Sequence, residues 1–179
     1  INSKILKALD IFILGSVTLT ISSKIKIPFY PIPMAIPTFV VLMLGVSFGY
    51  KIGLATMGLY LVGGRSGMPV FSNSPEIGIG WVYFTGPTMG YLIGFLIATF
   101  LAGYFEYNKG IINSFLKLIF SVSFIYILGA IWLGTLIGWE KPIFKLGVQP
   151  FLLAELFKVL ILLFLIPILL KFRKSIKII

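Results

Sequence analysis

Neither cysteine nor histidine occurs in the 179 residues, and only five residues are acidic: Asp10, Glu76, Glu106, Glu140 and Glu155. The first absence excludes thiol chemistry, disulfides, imidazole base catalysis and the usual soft-ligand metal sites, so no metal or cofactor is expected. The second argues against a paired-carboxylate acid/base site, because only Glu155 lies where a cavity is expected. No G-x-x-x-x-G-K-[ST] phosphate loop is present, so ATP hydrolysis is not built into the chain. Charge as a whole is scarce: 11% of residues, against about 25% in a soluble domain.

Apolar side chains take that place. Hydrophobic residues make up 59% of the chain, and the mean hydropathy is +1.08. This composition predicts an all-α integral membrane protein folded as one compact domain over 1–179, with no room for a separate soluble domain. The chain opens on Ile1 rather than Met, so its natural start is expected upstream, and the first apolar run reads as a retained helix rather than a cleaved signal. The net charge of +10 does not point to nucleic acid. The basic residues lie in short connections and at the termini, without the aromatic interleaving of a nucleic-acid surface, and read as topology-setting charges.

The apolar runs predict six transmembrane helices at about 5–22, 34–49, 52–63, 87–105, 111–137 and 151–170. An even number places both termini on one side. With the termini cytoplasmic, the inner segments carry Lys4, Lys7, Lys51, Lys109, Lys117, Lys171, Arg173, Lys174 and Lys177, and the outer ones Lys24, Lys26, Arg65, Lys141 and Lys145. That imbalance favours this orientation. The outward connections are the long ones. Residues 23–33 hold Pro28, Pro31 and Pro33, and residues 64–86 read GRSGMPVFSNSPEIGIGWVYFTG. This third loop is too aromatic for disorder and is expected to fold back over the bundle as a lid.

Glu155 and Lys158 sit three residues apart in the last apolar run, so on a helix they project from nearly the same face. Intramembrane charge is costly, and a pair of this kind either neutralises itself, lines a wet cavity or holds a polar ligand. One acceptor beside one donor matches a ligand presenting both N–H and C=O edges. Arg65, following Gly63-Gly64 at the expected cavity mouth, is either solvated or a receiver of carboxylate. Asn73 is either an Asx-turn residue or a ligand contact. Phe71, Trp81 and Tyr83 either wall an apolar ligand or form an interfacial belt. Gly15, Ser16 and Thr20 in the first helix permit close helix approach, within the bundle or to an outside partner. Asp10, Glu106 and Glu140 read as structural or solvated.

Four segments taken in order, IPFYPIPMAIPT, GLYLVGGRSGMPVF, GPTMGYLIGF and QPFLLAELFKVL, resemble the biotin-specific substrate-binding subunits (BioY family) of energy-coupling factor transporters. The resemblance implies a six-helix subunit that captures biotin from outside and has no ATPase of its own. It also implies docking, through the first helices, onto a transmembrane coupling protein with two cytoplasmic ATPases. In the family the last helix carries Asp-x-x-Lys, which here reads Glu155-x-x-Lys158, and the family's loop asparagine falls near Asn73. The family's Pro-x-Thr-x-Gln-Thr becomes Pro33-Met34-Ala35-Ile36-Pro37-Thr38, which keeps Thr38 but loses the glutamine. The first helix has Gly, Ser and Thr where the family has spaced alanines. On this resemblance Glu155 accepts from a ureido N–H, Lys158 donates to the ureido oxygen, Phe71 and Tyr83 cover the ring, and Arg65 meets the carboxylate. The alternatives are a binding subunit for another vitamin, a small intramembrane enzyme using Glu155 as base, and a scaffold whose charge pair only locks helices.

Overall fold

The computed structural model describes residues 3–27, 34–72, 74–76 and 78–176. It is helical apart from one two-residue pairing. The elements are α1 (Ser3–Lys24), β1 (Lys26–Ile27), β2 (Met34–Ala35), α2 (Pro37–Arg65), α3 (Trp81–Phe84), α4 (Met89–Tyr104), α5 (Ile111–Ile137), α6 (Ile143–Gly147) and α7 (Leu152–Ile176), with a 3-10 turn at Gln149–Phe151 before α7. Among the described residues four segments, Ser3–Lys24, Pro37–Arg65, Ile111–Ile137 and Ile143–Ile176, are long and apolar enough to cross a membrane, and Met89–Tyr104 is a shorter apolar helix.

Several boundaries move from their expected places, for local reasons. Residues 34–35 do not begin a helix. They pair antiparallel with β1, Lys26 opposite Ala35 and Ile27 opposite Met34. The helix starts instead at Pro37, whose missing N–H is tolerated only in a first helical turn. The expected break at residues 50–51 falls at Gly49, where φ 78 and ψ 169 interrupt α2. Only glycine adopts that backbone without strain. The short helices α3 and α6 went unpredicted because four or five residues carry no readable period.

Alpha-2 is the centre of the molecule. It packs against α1, α4 and α7, while α4 lies between α2 and α5. The apolar windows of α1 and α2 have the same mean hydropathy, 1.7, yet 17% of the first is buried and 61% of the second. Small residues decide the difference. A side chain at Gly45 would strike the Thr99 carbonyl, and one at Gly103 would strike the Gly49–Tyr50 backbone, so the α2–α4 seam closes on main chain. Some buried hydroxyls are satisfied within their own helix, as Thr56 by the Ile52 carbonyl at 2.9 Å and Ser121 of α5 by that of Lys117 at 2.8 Å, while Thr99 of α4 reaches across to Val41 O of α2 at 3.4 Å.

The segment between α2 and α4 has little regular structure, so its carbonyls need other donors. Three helices supply them. From the end of α1, Ser23 Oγ donates to Val70 O at 2.7 Å. Lys24 Nζ donates to the carbonyls of Phe71 (2.8 Å) and Ser74 (2.5 Å). Tyr60 of α2 reaches Val70 O at 3.1 Å, and Trp132 of α5 reaches Gly86 O at 2.8 Å. Within the loop, the Tyr83 phenol donates to Ser72 O at 2.8 Å, and burial pushes that phenol above its ordinary value. The loop is thus tied down by side chains on helices that meet around the same hollow.

Candidate functional site

Beneath this loop lies a cavity of about 430 Å³, within the range of small-molecule sites. Most of its wall is apolar or aromatic. Phe71 is the loop's inward wedge: it stacks on Tyr83 at 4.6 Å and meets Tyr60 edge-on at 5.2 Å. Gly64 leaves room for its ring, since any side chain there would collide with it. Opposite, Tyr126 of α5 stacks with Phe151 in the turn before α7 at 6.1 Å. Tyr91 of α4 holds the Gly147 carbonyl of α6 at 2.8 Å. Leu133, Ile137 and Leu146 close the α5–α6 side.

Charge enters this wall at one place. Glu155 and Lys158 both line the cavity and are 4% and 6% exposed. Their side chains form an ion pair at 2.5 Å, one helical turn apart. Thr38, in the first turn of α2, completes a triangle: its hydroxyl donates to Glu155 Oε1 at 2.8 Å and accepts from Lys158 Nζ at 2.8 Å. Glu155 lies in the first turn of α7. The N-terminal turns of two helices therefore converge on the carboxylate, and their dipoles favour its charge. Glu155 Oε2 is buried and makes no close hydrogen bond among the described residues, although the Tyr126 phenol interacts with the same carboxylate.

Chemically, the triangle is neutral overall, so it is not built to hold a bare ion. Oε1 takes two donors, while Oε2 still accepts. Lysine has three donors, of which two are used. One carboxylate oxygen and one lysine N–H remain unused in apolar surroundings, where a hydrogen bond to an ionised group counts for more than in water. A neutral group with an N–H next to a C=O fits this edge.

Of the residues singled out in the sequence, Thr38, Phe71, Tyr83, Glu155 and Lys158 are brought to this cavity. Arg65 is not. Its guanidinium lies over the Trp81 ring at 4.0 Å, because α3 presents an aromatic face on which a planar cation stacks. Asn73 lies outside the described residues. Gly15 is buried with Thr56 and Leu44 as its neighbours. Ser16 donates to Thr56 O at 3.2 Å, and Thr20 bonds back to Ser16 O at 2.9 Å. Gly15 and Ser16 thus meet α2 within the bundle, while the Thr20 bond stays inside α1. Sequence reasoning missed Tyr60, Tyr91 and Tyr126, all lining the cavity. A signal existed for Tyr126: it stands in the middle of Ile111–Ile137, away from the membrane interfaces where tyrosines usually sit.

Comparison with known proteins places the chain. A protein of Pyrococcus horikoshii named "Probable biotin transporter BioY" is 32% identical over 139 residues, covering 78% of this chain and 81% of that protein. The "Biotin transporter BioY" of Thermotoga maritima is 29% identical over 144 residues, covering 80% and 83%. A solved structure described as the S-component for biotin from an ECF-type ABC transporter shares the fold. Its TM-score is 0.76 at 24% identity, over 97% of this chain and 94% of that one. The sequence profile described as the BioY family matches residues 3–175, and the chain belongs to that family.

Proposed function

We propose that this protein captures biotin in the membrane, as the substrate-binding subunit of an energy-coupling factor transporter. One observation carries the reading: a buried Thr38–Glu155–Lys158 triangle with one free acceptor and one free donor, set in an aromatic cavity. Biotin is chemically matched to it. Its ureido group presents N–H beside C=O, its thioether ring is apolar, and its carboxylate sits on a flexible tail. Glu155 Oε2 accepts from a ureido N–H, Lys158 donates to the ureido oxygen, and Phe71, Tyr83 and Tyr126 enclose the rings. The names carried by family members support the same ligand.

In this reading the chain is a multi-pass protein of the plasma membrane that performs no catalytic step. Alpha-2, divided at Gly49, counts as two spans, which makes six and puts both termini on the cytoplasmic side. The segment between α2 and α4 is the outward lid. Because the chain has no phosphate loop, energy comes from partners: a transmembrane coupling protein and two cytoplasmic ATPases.

The test is ligand binding to the detergent-purified chain. Biotin should raise its melting temperature saturably, while riboflavin, thiamine and cobalt should not. Stabilisation by riboflavin or thiamine in place of biotin would reassign the ligand, and no stabilisation by biotin would overturn the proposal.

A further inference from the structure

We infer that Thr38 is a positioning residue: its hydroxyl, bridging α2 to α7, decides which carboxylate oxygen of Glu155 and which proton of Lys158 are left to meet the ligand. The inference rests on the biotin reading above and deepens it.

The direction of each bond follows from the groups. A lysine ammonium only donates and an ionised carboxylate only accepts. The Thr38 oxygen, 2.8 Å from Lys158 Nζ, must therefore accept there. Its single proton is then free to go only to Glu155 Oε1, at 2.8 Å. Threonine is β-branched and stiff at χ1, and it follows Pro37 in a first helical turn. Its oxygen is held between the two charged side chains by a bond to each. It touches residues 117 and 120 places further along the chain, so the triangle fixes the N-terminal ends of α2 and α7 to one another.

The consequence is an asymmetric carboxylate. Oε1 is saturated by Thr38 and Lys158, whereas Oε2 is buried without a close hydrogen bond. With the hydroxyl gone, Lys158 is free to bridge both oxygens, as a lone ammonium–carboxylate pair does. That arrangement closes the acceptor the ureido N–H needs and turns the remaining lysine proton away. Thr38 therefore acts on affinity through Glu155.

A double-mutant cycle on the purified full chain tests this, reading biotin Kd by calorimetry. Thr38→Val, which keeps the shape and removes the hydroxyl, should weaken binding about tenfold, the scale of one hydrogen bond to a charged group. Thr38→Ser should restore affinity to within about threefold of the parent, since it returns the hydroxyl with less rotamer stiffness. In a Glu155→Gln background, Thr38→Val should change Kd by no more than about twofold, because there is no charged carboxylate left to orient. A full tenfold loss in that background would overturn the inference, as would an unchanged Kd in Thr38→Val alone. If Glu155→Gln alone leaves Kd unchanged, the biotin reading of the charge pair has failed and this inference falls with it. Infrared difference spectra decide the matter where binding is too weak to measure. With five acidic residues in the chain, the Glu155 carboxylate band is identified by subtracting Glu155→Gln. It should shift in ligand-free Thr38→Val and return in Thr38→Ser; a band indifferent to both would contradict the proposal.

Discussion

The two ends of α7 each hold a basic residue against a neighbouring helix, and they use it differently. Near the C-terminal end, Arg173 donates from Nη2 to the Gly103 carbonyl at 3.3 Å, one of the last carbonyls of α4 that have no intrahelical partner. Its guanidinium also packs beside the bend at Gly49. Main chain takes up that charge, and the contact lies outside the cavity lining. Near the N-terminal end, Lys158 is paired with Glu155 and Thr38, and the set still has an oxygen without a close hydrogen bond, in residues that line a cavity. A charge whose bonds end on backbone is part of the scaffold. A buried charge set with bonding capacity to spare, next to a hollow, is a site. Lys24 falls on the scaffold side of that division, and Arg65 stacks on Trp81 outside the cavity lining.

Breaking the Thr38–Glu155–Lys158 set should have the largest effect. Lys158→Met strands a buried carboxylate, and chemical unfolding should show a loss of about 3–5 kcal/mol. Adding Glu155→Gln to it should recover most of that stability without recovering biotin binding. Recovery of binding as well would make the pair a helix lock and nothing more. Next comes Glu155→Gln alone, which keeps size and loses charge. Calorimetry should give a biotin Kd weaker by about 10- to 100-fold, equivalent to about 1.5–3 kcal/mol. Arg173→Gln should cost about 1 kcal/mol in thermal unfolding and leave Kd unchanged; a weakened Kd would erase the contrast between the two ends. The smallest effect is expected from Arg65→Gln. It removes a stacking contact worth about 0.5–1 kcal/mol at an exposed site and should leave Kd within about twofold. A tenfold loss there would return Arg65 to the ligand's carboxylate.

Much of this division was legible before any coordinates. Membrane residence followed from hydropathy, and the Glu155–Lys158 pair stood out because charge in an apolar run is conspicuous. The helical segments lay close to their expected positions, with ends shifted where Pro37 or Gly49 imposes a local geometry. Burial was not legible. Alpha-1 and α2 share the same hydropathy, because lipid and protein interior select the same side chains. Nor did the sequence show what each basic residue near the cavity touches. Arg65 read first as solvated and second as a receiver of carboxylate, and α3, too short to announce itself, places Trp81 under its guanidinium. The role of Thr38 was half visible: the motif marked its position, but its two bonds depend on a register between α2 and α7 that no local pattern encodes.

The central claim is that a neutral Glu155–Lys158 edge reads a urea, with the carboxylate taking N–H and the ammonium giving to oxygen. The most direct measurement is competition between biotin and its imino analogue, in which a protonatable nitrogen replaces the ureido oxygen. At neutral pH the analogue sets a donor and positive charge against Lys158, and it should bind at least about 100-fold more weakly than biotin. Equal affinity for the two compounds would contradict the account.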